Sequence, residues 1–151
     1  MRKFRPMSTT DHPTARTVRL LGYAGLIPFI AGAAWVWATR ASPTGATAAF
    51  ALAAYAATIV AFLGGVHWGP ALRDGGRDVA ALGWGVVPQL AAWLALLLPS
   101  RSALVVLAIL LALCFVVDRR LYGRAGLASW LPMRLQLTTG AVVCCLVAAL
   151  A

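Results

Sequence analysis

The sequence predicts an all-α integral membrane protein, a bundle of about five transmembrane helices with its amino terminus in the cytoplasm and its carboxyl terminus outside. Three observations carry that reading. Of the 151 residues, 62% are apolar and 11% charged, against roughly half apolar and a quarter charged in soluble domains. The apolar residues gather into uncharged runs long enough to cross a hydrocarbon core, which takes about 17–25 helical residues. The 13 Lys and Arg, set against 4 Asp and Glu, lie at the ends of those runs.

The first run spans 20–38, behind Arg2, Lys3, Arg5, Arg16 and Arg19. It exceeds the core of a signal peptide, about 7–15 residues, and carries Trp35 and Trp37 where small cleavage-site residues would stand. It is therefore a retained span, preceded over residues 1–15 by a disordered basic tail. The next runs cover 44–72, 79–100, 102–117 and 135–151. Ser42-Pro43 with Gly45, Asp74-Gly75-Gly76, Pro99-Ser100 and 123–132 supply turn chemistry between them. Asp78 and Ser102 suit N-caps, and Pro43 and Pro132 suit helix starts. The expected helices are 18–38, 46–70, 79–98, 102–120 and 134–150, in one domain over 16–151.

Charge placement sets the expected orientation. With the amino terminus inside, eleven of the 13 basic residues fall on the cytoplasmic side and only Arg40 and Arg101 on the other, as the positive-inside rule requires. The same distribution argues against nucleic-acid binding, because no basic face or RNA-binding motif forms. Cys114, Cys144 and Cys145 lie within apolar runs, where thiols act as small buried hydrophobes.

On the second span, Leu52, Tyr55, Ile59, Phe62 and Val66 form one bulky face suited to lipid. Ala53, Ala57, Ala61, Gly64 and Trp68 lie opposite, where small residues admit a neighbouring backbone. The third span repeats this, with Val86, Val87, Leu90, Leu94 and Leu97 against Gly85, Pro88 and Ala92. Gly64, Gly65, Gly69, Gly85 and Pro88 are the expected packing positions.

The polar residues gather toward the inner third. His67, Trp68, Trp84, Gln89, Asp118, Arg119, Arg120 and Arg134 could line a cytoplasm-facing pocket. Equally, the tryptophans with Trp130, Tyr23 and Tyr122 could be an aromatic belt, and the arginines could meet lipid phosphates. His67 is the stronger candidate, since ionisable residues within spans are rare. Asp118 at a helix C-terminus opposes the macrodipole and calls for Arg134 or His67 as partner. Gln89 suits an interhelical hydrogen bond.

Several chemistries lack their residues. His12, the other histidine, lies in the tail, so one chain cannot ligate haem through two spans. No acid or serine sits mid-span for intramembrane proteolysis. A metal at His67 would want ligands the spans scarcely offer. No cofactor is expected.

The stretch Phe62-Leu63-Gly64-Gly65-Val66-His67-Trp68-Gly69, with Leu21 to Pro28 before it and Trp84-Gly85-Val86-Val87-Pro88 after it, resembles a bacterial membrane family of unknown function, domain of unknown function 3429. That family includes eukaryotic transmembrane protein 69. The resemblance extends to Asp118-Arg119-Arg120 and Arg134 with Leu137-Thr138, and it implies a small multi-span membrane protein without an established activity.

These readings lead to a non-enzymatic accessory or assembly factor of the bacterial inner membrane, packing against another membrane protein or a second copy. The alternative is a binding or carrier protein with a pocket around His67 for a lipid head group, quinone or other amphipathic molecule. A third class is an enzyme acting on such a lipid, with His67 as general base.

Overall fold

The computed structural model describes residues 13–73, 75–124 and 128–151. Seven α-helices order the described residues: α1 Pro13–Ala24, α2 Ile27–Thr39, α3 Gly45–Gly65, α4 Trp68–Arg73, α5 Val79–Ala95, α6 Ser100–Arg124 and α7 Leu131–Ala149, the last entered through a 3₁₀ turn at Ala128–Trp130. No strand forms among them.

Proline explains why five expected helices become seven. A proline ring removes its own N–H donor and clashes with the carbonyl four residues back. α1 stops at Ala24, four before Pro28, and α3 stops at Gly65, just before the residue four ahead of Pro70. Each pair, α1–α2 and α3–α4, still makes one long apolar crossing, Arg16–Thr39 and Gly45–Arg73. α6 and α7 contain two more, Ser100–Arg120 and Leu131–Ala149. α5 is a shorter apolar helix of 17 residues, at the lower end of what spans a bilayer. It is shorter than the expected 79–98. Proline does not break this one, because α5 runs through Pro88.

The ends follow local chemistry. Asp78 caps α5 by accepting from the Ala81 amide at 3.0 Å. The preceding turn needs left-handed backbone at Gly75 and Gly76 (φ 79° and 70°), which glycine supplies without strain. α6 begins at Ser100, so Ser102 lies inside it and is not its cap. Pro132 sits in the first turn of α7. The expected tail over 1–15 lies outside the described residues except for Pro13 to Ala15, which open α1 as helix.

α3 is the hub. It packs against α2, α5, α6 and α7, while α5 meets α6, α6 meets α7, and α7 meets α2. Its buried residues include Leu52, Ala53, Ala56, Ala57, Val60, Leu63 and Gly64. This corrects the expectation that Leu52 and its neighbours face lipid. Leu52 is buried, its side chain lying where a Cβ on Gly32 of α2 would stand 2.9 Å from it. Phe29 of α2 meets Tyr55 edge to face at 5.0 Å, and the Tyr55 hydroxyl donates to the Gly25 carbonyl at 2.9 Å, in the α1–α2 break. The hub position overrides the stripe read from the sequence, because a helix surrounded on several sides buries bulky and small residues alike. On α5 the expectation agrees with the structure: Gly85, Pro88 and Ala92 are buried, while Val87, Leu90, Leu94 and Leu97 are exposed.

Short connections bring Arg40, Ser42, Gly45, Pro99, Arg101 and Ala151 around one cavity at one end of the bundle. His67, Asp118 and Arg134 meet at the other.

Candidate functional site

The proline break between α3 and α4 leaves His67 outside regular helix, with its amide bonded to the Gly64 carbonyl at 3.2 Å. The side chain turns inward and is 6% exposed. Its Nε2 donates to Asp118 Oδ1 of α6 at 2.8 Å. The second carboxylate oxygen, Oδ2, accepts from Nη2 of Arg134, in the first turn of α7, at 2.6 Å. Arg134 Nη1 in turn donates to Thr138 Oγ1 at 3.1 Å, one helical turn along. Asp118 is 1% exposed and Arg134 8%. One carboxylate therefore ties three helical segments together.

Asp118 needs these partners for a different reason from the one the sequence suggested. α6 continues to Arg124, so Asp118 stands more than a turn before its end, beyond the reach of the terminal dipole. Burial is the cause, since a carboxylate taken out of water must be paired and hydrogen-bonded. Arg134 faces the mirror-image problem as a cation at a helix N-terminus, and Asp118 answers both.

Of the eight pocket candidates, the structure joins His67, Asp118 and Arg134. Trp68 is exposed and donates from Nε1 to the Leu82 carbonyl at 3.1 Å, so it ties α4 to α5. Trp84 is half-buried, with its Nε1 buried and unbonded. Gln89, Arg119 and Arg120 are exposed, outside the buried network. Trp130 is half-buried, Tyr23 is exposed beside Gln136, whose side-chain oxygen accepts its hydroxyl, and the Tyr122 side chain lies outside the described residues. Thr138 is the member that sequence reasoning missed. Its signal was the i, i+4 spacing from Arg134, which puts both on one face of α7.

The packing positions divide as well. A Cβ on Gly64 would stand 2.8 Å from the Gly85 carbonyl oxygen, and one on Gly85 would overlap the Trp68 indole, while Pro88 lies against Gly64. Gly64, Gly85 and Pro88 thus set the α3–α5 contact. Gly65 and Gly69 make no such contact among the described residues: both are exposed, and a Cβ on either would meet nothing within 4 Å.

Beside the network lies a cleft of about 400 Å³, walled by Leu21 and Leu26 of the first crossing, Ile59, Phe62 and Val66, and Arg134, Leu137 and Thr138. It lies beside the Pro28 break, where α2 packs on both α3 and α7 and α1 leans on α7. Arg134 Nε is buried and has no hydrogen-bond partner. Among the described residues, no three His, Cys, Asp or Glu side chains stand together as metal ligands. Cys114 and Cys145 are buried free thiols and Cys144 is half-buried.

The family model described as Protein of unknown function (DUF3429) matches residues 14–150. Transmembrane protein 69 of Xenopus tropicalis is 44% identical over 80 residues, which cover 51% of this chain and 31% of the relative. The matched segment is thus about a third of that relative's length. No solved structure matches.

Proposed function

The chain belongs to this family of multi-pass membrane proteins, and from that premise we propose that it is a non-enzymatic accessory protein that packs against another membrane protein through the open face of α3. One observation carries this. The hub helix leaves one side open, and there it presents Thr47, Phe50, Ala51, Thr58, Phe62 and Gly65, all exposed. At 100° per residue these fall within one sector, between the side that meets Gly32 and Phe29 of α2 and the side that meets Gly85 of α5. Thr47, Ala51, Thr58 and Gly65 form a small-residue strip between Phe50 and Phe62, which lets a partner helix approach closely where van der Waals contact drives association. The saturated Asp118 carboxylate supports the same reading, since both oxygens are occupied in holding helices together.

The protein sits in the bacterial inner membrane with the His67 end toward the cytoplasm. Exposed Arg16, Arg19, Arg73, Arg77, Arg119 and Arg120 flank that half of the spans, against Arg40 and Arg101 at the other end.

Gly65→Leu tests the packing. The position is open, so the variant should keep the thermal stability of the parent in detergent while losing a stoichiometric partner on mild extraction. Parent protein that purifies alone, or a variant that holds its partner equally well, would overturn the reading. A second reading, binding of an amphipathic small molecule, is favoured by the cleft beside Arg134.

A further inference from the structure

We infer that the cavity at the Arg40 end of the bundle binds a phosphate group, with Arg40 and Arg101 supplying the counter-charge. It lies apart from the open face of α3 and from the cleft beside Arg134, so it stands independently of both readings of function.

Charge decides the class of ligand. Arg40, at the end of α2, and Arg101, the second residue of α6, line the same cavity of about 280 Å³. Among the described residues the ion pairs fall on Asp118, at the other end of the bundle, and neither Arg40 nor Arg101 has a carboxylate partner. Two like charges drawn onto one small cavity repel, and an anion between them removes that cost. The comparison with α7 is direct. Arg134, also a cation in the first turn of a helix, is met by Asp118 at 2.6 Å. Arg101 stands where the positive end of the α6 macrodipole opposes a cation, and that first turn holds no acid. Its complement is an anion from outside the chain.

Shape and size then narrow the anion. A guanidinium fork meets two oxygens of a phosphate at once. Arg40 is held in place for such a contact, lying 4.8 Å over the Trp37 ring, while Trp37 Nε1 donates to the Val147 carbonyl at 3.0 Å. Trp37 is thus a positioning residue. Ser42 and Ser100 bring hydroxyl groups to the same wall, and these can donate to phosphate oxygens. The volume falls just below that of sites for larger small molecules, roughly 300–1,000 Å³, which suits a head group better than a long apolar body.

Two sources carry this chemistry, a phospholipid head group and free phosphate. Purified, delipidated full-length protein in a neutral detergent would be incubated with sodium phosphate, with dioleoyl phosphatidylglycerol, or with dioleoylglycerol, which has the same chains and no phosphate. Retention is read by native mass spectrometry. One phosphate-bearing probe should be retained per chain, and dioleoylglycerol should not. Retention of phosphatidylglycerol alone marks a lipid head group as the source, of phosphate alone a soluble ion, and of both a site that takes the phosphate whatever carries it. Arg40→Gln and Arg101→Gln should each weaken retention about tenfold, the worth of one charge-assisted hydrogen bond. Ala46→Glu places a carboxylate on the cavity wall from an exposed position in the first turn of α3, where the dipole favours an anion. It should abolish retention without lowering the thermal midpoint. Arg119→Gln with Arg120→Gln, at the opposite end, should change nothing. The inference falls if no probe is retained, if dioleoylglycerol is held as well as phosphatidylglycerol, if Ala46→Glu binds like the parent, or if the Arg119 and Arg120 changes weaken retention as much as those at Arg40 and Arg101. None of those results touches partner packing at α3 or binding in the cleft.

Discussion

The two ends of the bundle are held by different physics. At the His67 end, the α3–α4 junction, α6 and α7 meet at a carboxylate shared between an imidazole and a guanidinium, all three at least nine-tenths buried. At the Arg40 end the polar contacts are peripheral. Trp37 donates from Nε1 to the Val147 carbonyl at 3.0 Å, and Arg40 lies 4.8 Å over the Trp37 ring, both at exposed positions. A buried ionic tie fixes which helices meet and in what register, yet it makes its end brittle, because removing any member strands the others. Surface contacts can be lost one at a time at small cost.

That contrast can be broken most forcefully at Asp118. Asp118→Asn leaves Arg134 buried without its counter-charge and should cost about 3–5 kcal/mol, seen as loss of the folded species in a thermal scan in detergent. The triple change His67→Leu, Asp118→Leu, Arg134→Met sharpens the point. If the tie acts through charge satisfaction alone, apolar replacement of all three should recover most of that loss. A triple variant no more stable than Asp118→Asn would mean that the network also dictates helix register.

Gly64→Ala tests the neighbouring α3–α5 contact. The added methyl meets backbone at 2.8 Å, and overpacking should cost about 1–3 kcal/mol. Tyr55→Phe removes the bond that seals the Gly25 carbonyl and should cost about 0.5–1.5 kcal/mol. Smallest is Arg40→Gln at the opposite end, which gives up an exposed cation–π contact of about 0.5–1 kcal/mol and should barely move the midpoint. A loss at Arg40 equal to that at Asp118 would erase the proposed difference between the ends.

How much of this was legible depends on how local the cause is. The crossings were legible from apolar runs, the α5 lipid face from a 3.6-residue pattern, and the Asp78 cap from a side chain acting three residues away. The pairing of Asp118 with His67 and Arg134 could be anticipated because a charge in a span demands a partner, although the dipole offered as its cause is too distant. The α3 stripe was misread at Leu52, since which side of a hub helix faces lipid depends on how many neighbours surround it. Ile59 and Val66, assigned to lipid for the same reason, are half-buried in the wall of a cleft, whereas Phe62 is exposed as expected. Gln89, Arg119 and Arg120 were grouped with His67 by depth, yet depth does not specify azimuth, and they point outward.

The sequence by itself determined an apolar, multi-span helical protein with its charge concentrated at one end, because hydropathy and the demand to satisfy backbone groups in lipid leave few alternatives. Tertiary structure alone decided that one carboxylate serves both an imidazole and a guanidinium, that Gly64 rather than Gly65 meets α5, and that a cleft lies beside Arg134. Those outcomes depend on the rotation of each helix about its axis, which is fixed by neighbours distant in the chain.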